Sequence, residues 1–116
     1  MSIKRIGVGA RMSKAVVHGN TVYLAGQVAE TKKGASVGEQ TAEILGIIDA
    51  LLAEAGTDKT KLLSANIWLT DIGTFAQMNA EWDKWVSPGN TPARATVEAK
   101  LAAPEYKVEI AVIAAV

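Results

Sequence analysis

The chain has 116 residues, 49% of them apolar, and its twelve Lys and Arg balance twelve Asp and Glu for a net charge of zero. That length fits one domain over residues 1–116 with a real core, and the charge balance excludes an overall field that would draw in nucleic acid or an anionic membrane. Without cysteine, and with His18 as the only imidazole, the chain has no thiol nucleophile, no disulfide and almost no means of building a metal site.

The N-terminal Met1-Ser2-Ile3-Lys4-Arg5 leads into no signal-peptide core, and no apolar run approaches the ~20 residues of a membrane span, so a cytoplasmic protein is expected. Ala15-Val16-Val17 and Thr21-Val22-Tyr23-Leu24-Ala25 flank His18-Gly19-Asn20, where Gly-Asn suits the positive φ angles of a tight turn. This predicts a β-hairpin, with His18 an exposed turn residue, and a further strand fits before Ala10. Lys32 to Ser36 reads as a loop. From Gly38 the apolar positions Ile44, Leu45, Ile47, Ile48, Leu51, Leu52 and Ala55 recur at steps of three and four, an amphipathic helix ending near Gly56.

Leu62 to Leu69 reads as a strand. Thr74-Phe75-Ala76-Gln77 fits a capping box, which predicts that a second helix starts there with Thr74 as its cap. Phe75, Met78, Trp82 and Trp85 then follow at helical spacing and predict an aromatic core face. Ser87-Pro88-Gly89-Asn90 breaks this helix before a strand around Arg94, and Val108 to Val116 forms the last strand. The order predicts an α+β sheet with both helices on one face.

The last strand is apolar on both sides: Val108, Ile110, Val112, Ala114 and Val116 on one, and Ala111, Ile113 and Ala115 after Glu109 on the other. Two helices cover only one side of a sheet, so the other should be buried by another subunit. Arg94, Thr96 and Glu98 share a strand face opposite Ala95, Val97 and Ala99. From that alternation Arg94 and Glu109 are both expected on the non-helical, intersubunit side.

Arg94 and Glu109 also carry the chemistry. A guanidinium clamps a planar carboxylate with two parallel hydrogen bonds, and a carboxylate out of its reach is free to handle a water or a proton. The pair describes a site for a small organic acid. Taken alone, Arg94 could equally be a solvated strand residue, and Glu109 an interface ion-pair partner. Alternation does not decide whether Tyr23 and Trp68 face a cleft or the core.

Several segments together resemble the Rid family of reactive-intermediate deaminases, also called RidA/YjgF and historically the endoribonuclease L-PSP family. They are Gly19-Asn20-Thr21-Val22-Tyr23 followed by Gly26-Gln27, Met78-Asn79, and Pro92-Ala93-Arg94 followed by Val108-Glu109-Ile110. The resemblance covers nearly the whole chain. It implies a chorismate-mutase-like α+β fold, a homotrimer with a cleft at each subunit interface, no cofactor and no metal. It also implies hydrolysis of enamines and imines, such as 2-aminoacrylate and 2-imino acids, to 2-keto acids and ammonia. By position, Arg94 would hold the substrate carboxylate and Glu109 would orient or activate the attacking water. Gly26, Asn79, Thr96 and Met12 would line the substrate site. Met12 departs from the family pattern, in which a tyrosine commonly stands, and it replaces a hydroxyl by a flexible thioether.

Two other functions compete with this one. A non-catalytic module binding a 2-keto acid would use the same arginine without turnover. An endoribonuclease or translation inhibitor would need a basic stripe or a pair of histidines, and the sequence has neither.

Overall fold

The computed structural model describes residues 2–116. The elements are β1 (Ile3–Val8), β2 (Ser13–His18), β3 (Thr21–Leu24), α1 (Val37–Glu54), β4 (Leu62–Leu69), α2 (Phe75–Trp85), β5 (Ala93–Glu98) and β6 (Val108–Ala115). They form one six-stranded sheet in the order β1-β2-β3-β6-β4-β5. All neighbours are antiparallel except β4 and β5. A parallel pair cannot be closed by a tight turn, and α2 supplies its crossover. The expected α+β order is therefore present, including the strand before Ala10 and a β4 that runs from Leu62 to Leu69.

Local chemistry accounts for most boundaries and corrects three expectations. In the β2–β3 hairpin only Gly19 takes a positive φ, 63°, so Asn20 does not share the left-handed conformation. That is the demand of a type II′ turn, in which glycine at the first central position suffices. α1 starts at Val37, where Ser36 Oγ accepts from the Glu39 amide at 3.2 Å. Ser36-x-x-Glu39 has the string of a capping box, of which the Ser36 half is made. The predicted box at Thr74 is not formed. Thr74 lies in the preceding 3₁₀ turn with φ −92° and ψ 9°, outside the extended conformation that aims a cap oxygen at the helix amides, and it makes no side-chain capping bond; its hydroxyl donates to the Asp71 carbonyl at 2.6 Å. α2 still begins there, its axis set by the preceding short 3₁₀ turn over Ile72–Thr74.

The core lies between the sheet and the two helices. Ala65, Ile67 and Leu69 of β4 and Val108, Ile110, Val112 and Ala114 of β6 meet Ile44, Ile48, Leu51 and Leu52 of α1, all buried. From α2 come Met78, Trp82 and Trp85. The third correction is Phe75, which is 40% exposed rather than core. The helices are tied by the Trp85 indole, whose Nε1–H donates to Asp49 Oδ2 at 3.0 Å.

The opposite face of the sheet has no cover among the described residues. Cross-strand register places Val16, Tyr23, Ile113 and Ala111 there, followed by Trp68 and Val97. Tyr23 remains 47% and Val97 50% exposed. No helix among the described residues is long and apolar enough to cross a membrane.

Candidate functional site

Arg94 stands on β5, an edge strand. Its register partner on β4 is Ala65, and those of Thr96 and Glu98 are Ile67 and Leu69. These β4 residues belong to the buried helical side, and register partners project to the same side. Arg94 and Thr96 therefore face the helices, contrary to the expectation that Arg94 lies on the open side. Apolar alternation misleads here because the alanine and valine face of β5 is the one left uncovered. α2 meets the polar face instead.

That placement fixes the guanidinium. Arg94 Nη1 donates to Asn79 Oδ1 of α2 at 2.8 Å. Its guanidinium carbon lies 5.2 Å from the Trp82 ring centre and 5.8 Å from that of Phe75, within the range of cation–π attraction. The helical spacing of Phe75, Asn79 and Trp82 thus builds a cradle rather than a purely apolar face. Among the described residues the only ion pair is Lys84 with Glu81, so Arg94 has no carboxylate partner within them. Thr96 Oγ1 is the one buried side-chain polar atom of the described residues without a hydrogen bond. A buried hydroxyl left unpaired costs about 1–3 kcal/mol unless something else satisfies it.

Glu109 is on the other side of the sheet. It pairs across with Trp68 on the open face and is half-buried. With Trp68, Ala99, Lys100, Leu101 and Ala102 it lines a cavity of about 260 Å³. Gly26 presses against it: a Cβ built on Gly26 would overlap Glu109 Oε2 and come 2.9 Å from its Cδ. No side chain other than hydrogen could occupy that position without moving the carboxylate.

Met12 sits in the β1–β2 turn, where its carbonyl accepts from the Gly9 amide at 2.8 Å, and it is 55% exposed. β2 and β5 are separated by three strands, which puts Met12 roughly 19 Å from Arg94 at ordinary strand spacing. One chain thus brings Arg94, Asn79 and Thr96 together, and Gly26 with Glu109, but it joins neither group to the other or to Met12. The sequence contains no signal for this division, which depends on the β4–β5 register.

A mixed sheet with two helices on one face and a βαβ crossover to its edge strand is the α+β architecture of YjgF-family structures. A YjgF-family protein from Neisseria meningitidis superposes with a TM-score of 0.96 at 47% identity, covering 99% of this chain and 95% of that one. A Rid-family protein from Yersinia pestis gives 0.85 at 30% identity, covering 94% and 90%. The RutC family protein YoaB of Escherichia coli is 47% identical over 116 residues, all of both chains. A RutC family protein of Haemophilus influenzae is 50% identical over 98% of each chain. The family model described as Endoribonuclease L-PSP matches residues 2–116. The chain belongs to this family, the Rid or YjgF proteins, as its Pro-Ala-Arg and Val-Glu-Ile segments indicated.

Proposed function

We propose that the protein hydrolyses 2-imino acids and their enamine tautomers, such as 2-aminoacrylate, to 2-keto acids and ammonia. The observation that carries this reading is the Arg94 guanidinium. It is half-buried and held by Asn79 and two aromatic rings, with no carboxylate partner among the described residues. An oriented cation with free donors is suited to clamp a planar carboxylate bidentately. Thr96, with its unpaired hydroxyl two residues along the strand, offers the same ligand a further hydrogen bond.

The chemical step needs little more. A water held by Glu109 adds its oxygen to the imine carbon as the carboxylate takes one water proton, and the imine nitrogen gains a proton. The carbinolamine then collapses: the proton held by Glu109 passes to the amino nitrogen, the C–N bond breaks, ammonia leaves, and the hydroxyl proton returns to the medium through the Glu109 carboxylate as the carbonyl forms. Holding the carbon against a placed water is the main catalytic device. No metal or cofactor enters this sequence of steps.

Because Arg94 and Glu109 stand on opposite faces of one sheet, the complete site requires a second copy. Its open face would supply Glu109 to the β5 edge of the first. The uncovered apolar row from Val16 to Val97 supports such packing, and a homotrimer is the proposed assembly. Met12 favours a second reading, a module that binds 2-keto acids without turnover, because a thioether offers no hydroxyl to a reacting nitrogen.

An amino-acid oxidase generating 2-imino acids beside a semicarbazide trap separates the two. The wild type should divert imine to keto acid, and Arg94→Ala should not. Equal trapping with and without the wild type, across several side chains, would leave only the binding module.

A further inference from the structure

Gln40 is fully buried, with 0% exposure, in the first turn of α1. Its side-chain amide is committed to backbone, one partner nearby and two more than sixty residues along the chain. Nε2 donates to the Ala35 carbonyl at 3.1 Å and to the Glu105 carbonyl at 2.9 Å. Oε1 accepts from the Lys107 amide at 3.0 Å. The Glu105 carbonyl also accepts from the Gly34 amide at 3.2 Å, and the Lys107 carbonyl accepts from the Thr70 amide at 3.1 Å.

Residues 99–107 form the loop between β5 and β6. Its first half, Ala99 to Ala102, is the wall of the Glu109 cavity. The same stretch with Ala103, Pro104 and Tyr106 lines a larger cup of about 810 Å³ next to Thr70 and Glu98. Its second half is anchored by Gln40, at Glu105 and at Lys107. Lys107 directly precedes β6, and Glu109 is the second residue of that strand.

We propose that Gln40 is a positioning residue for Glu109. Its amide latches the β5–β6 loop onto α1, and so sets where β6 begins and how the wall facing the Glu109 carboxylate stands. The inference deepens the imine-hydrolysis reading and rests on it for its kinetic test. Arg94 is outside this latch, being held by α2, so Gln40 acts on the water-handling half of the site and not on the carboxylate clamp.

Two variants of the full chain test it. Gln40→Met keeps the length and removes all three hydrogen bonds. Hydrogen exchange should then rise on the order of tenfold or more at the Lys107 amide, with the β4 amides unchanged. Against 2-imino acids, kcat per folded chain should fall by on the order of tenfold to a hundredfold while KM stays within about twofold. Gln40→Glu supplies a readout that simple loss of packing would not move. Its carboxylate faces two carbonyl oxygens, whereas the protonated acid can donate to one and still accept from Lys107. Its kcat relative to wild type should therefore climb as pH is lowered from about 8 to about 5.5.

Unchanged exchange at Lys107 in Gln40→Met would overturn the latch. Raised exchange with wild-type kcat would overturn the positioning role. If Gln40→Met does not fold, a flat pH ratio for Gln40→Glu overturns it. Raised exchange in a protein whose wild type hydrolyses no imine would sustain the latch and remove the deaminase reading instead.

Discussion

Two inactive variants, Arg94→Ala and Glu109→Gln, should regain turnover when their chains are mixed. Each alone should lose on the order of 10²-fold to 10⁴-fold in kcat/KM, the range for removing a positioned proton-transfer group or an oriented clamp. Arg94 faces the helices and Glu109 the open side, so a site containing both must draw them from different chains. In a closed ring of identical copies each site takes its arginine from one chain and its glutamate from the next. Arg94→Ala chains still supply Glu109, and Glu109→Gln chains still supply Arg94. After joint unfolding and random reassembly in equal amounts, about a quarter of sites hold an intact residue of each kind, and kcat per site recovers to about a quarter of wild type. Wild type mixed with the double variant is the control. It should also retain about a quarter of full activity if sites span two chains, and about half if each site belongs to one chain. The imine-trapping assay reads both mixtures. No recovery in the first, with about half retained in the second, would refute the two-chain site.

Three further outcomes follow from local geometry. Asn79→Ala frees the Arg94 guanidinium, and KM for 2-imino acids should rise roughly tenfold with a smaller change in kcat, as expected for losing a hydrogen bond to a charged group; an unchanged KM would show that the aromatic rings alone orient Arg94. Gly26→Ala places a methyl where Glu109 Oε2 stands, so kcat should drop at least tenfold with the melting temperature nearly intact, and full activity would show that the carboxylate position is not critical. Glu43 accepts backbone amides of Glu30, Thr31 and Lys32 at 3.0, 2.9 and 2.8 Å. Led by the Thr31 amide, these bonds hold its carboxyl below the usual glutamate range. A lowered folded-state value means that its stabilisation is present above the ordinary glutamate pKa and is lost as pH falls through the lower value. The 30–32 segment should then become protease-sensitive in acid, and Glu43→Gln should weaken that acid dependence. Identical acid profiles for the two proteins would refute it.

The elements were largely legible in the sequence because α1 carries a strong three-and-four period that burial follows, β6 is a long apolar run, and β4, despite the poor strand formers Ser64, Ala65 and Asn66, fills the length between the helices. Face assignment failed at β5, where the apolar alternation of Ala95 and Val97 marks the side left uncovered, while α2 covers the polar side. At an edge strand the helix layer can meet the polar face, and the usual inference from apolar alternation is then inverted. The capping signals show a second limit. Thr74-x-x-Gln77 and Ser36-x-x-Glu39 look alike as strings, but Ser36 is extended at φ −64° and ψ 158° whereas Thr74 is wound into the preceding 3₁₀ turn at φ −92° and ψ 9°, so only Ser36 turns its oxygen to the helix amides. At the site, Pro-Ala-Arg and Val-Glu-Ile located Arg94 and Glu109. Their separation onto two faces follows from hydrogen-bond register between strands, which no local motif encodes.

The division of the site between two faces has a kinetic consequence. Under the proposed assembly an isolated chain holds a clamp without a base and a base without a clamp, so turnover appears only after association. Below the concentration at which chains associate, total activity should climb more steeply than the first power of chain concentration, and dilution alone should switch it off. Scavenging capacity would then respond to expression as a threshold rather than as a straight line.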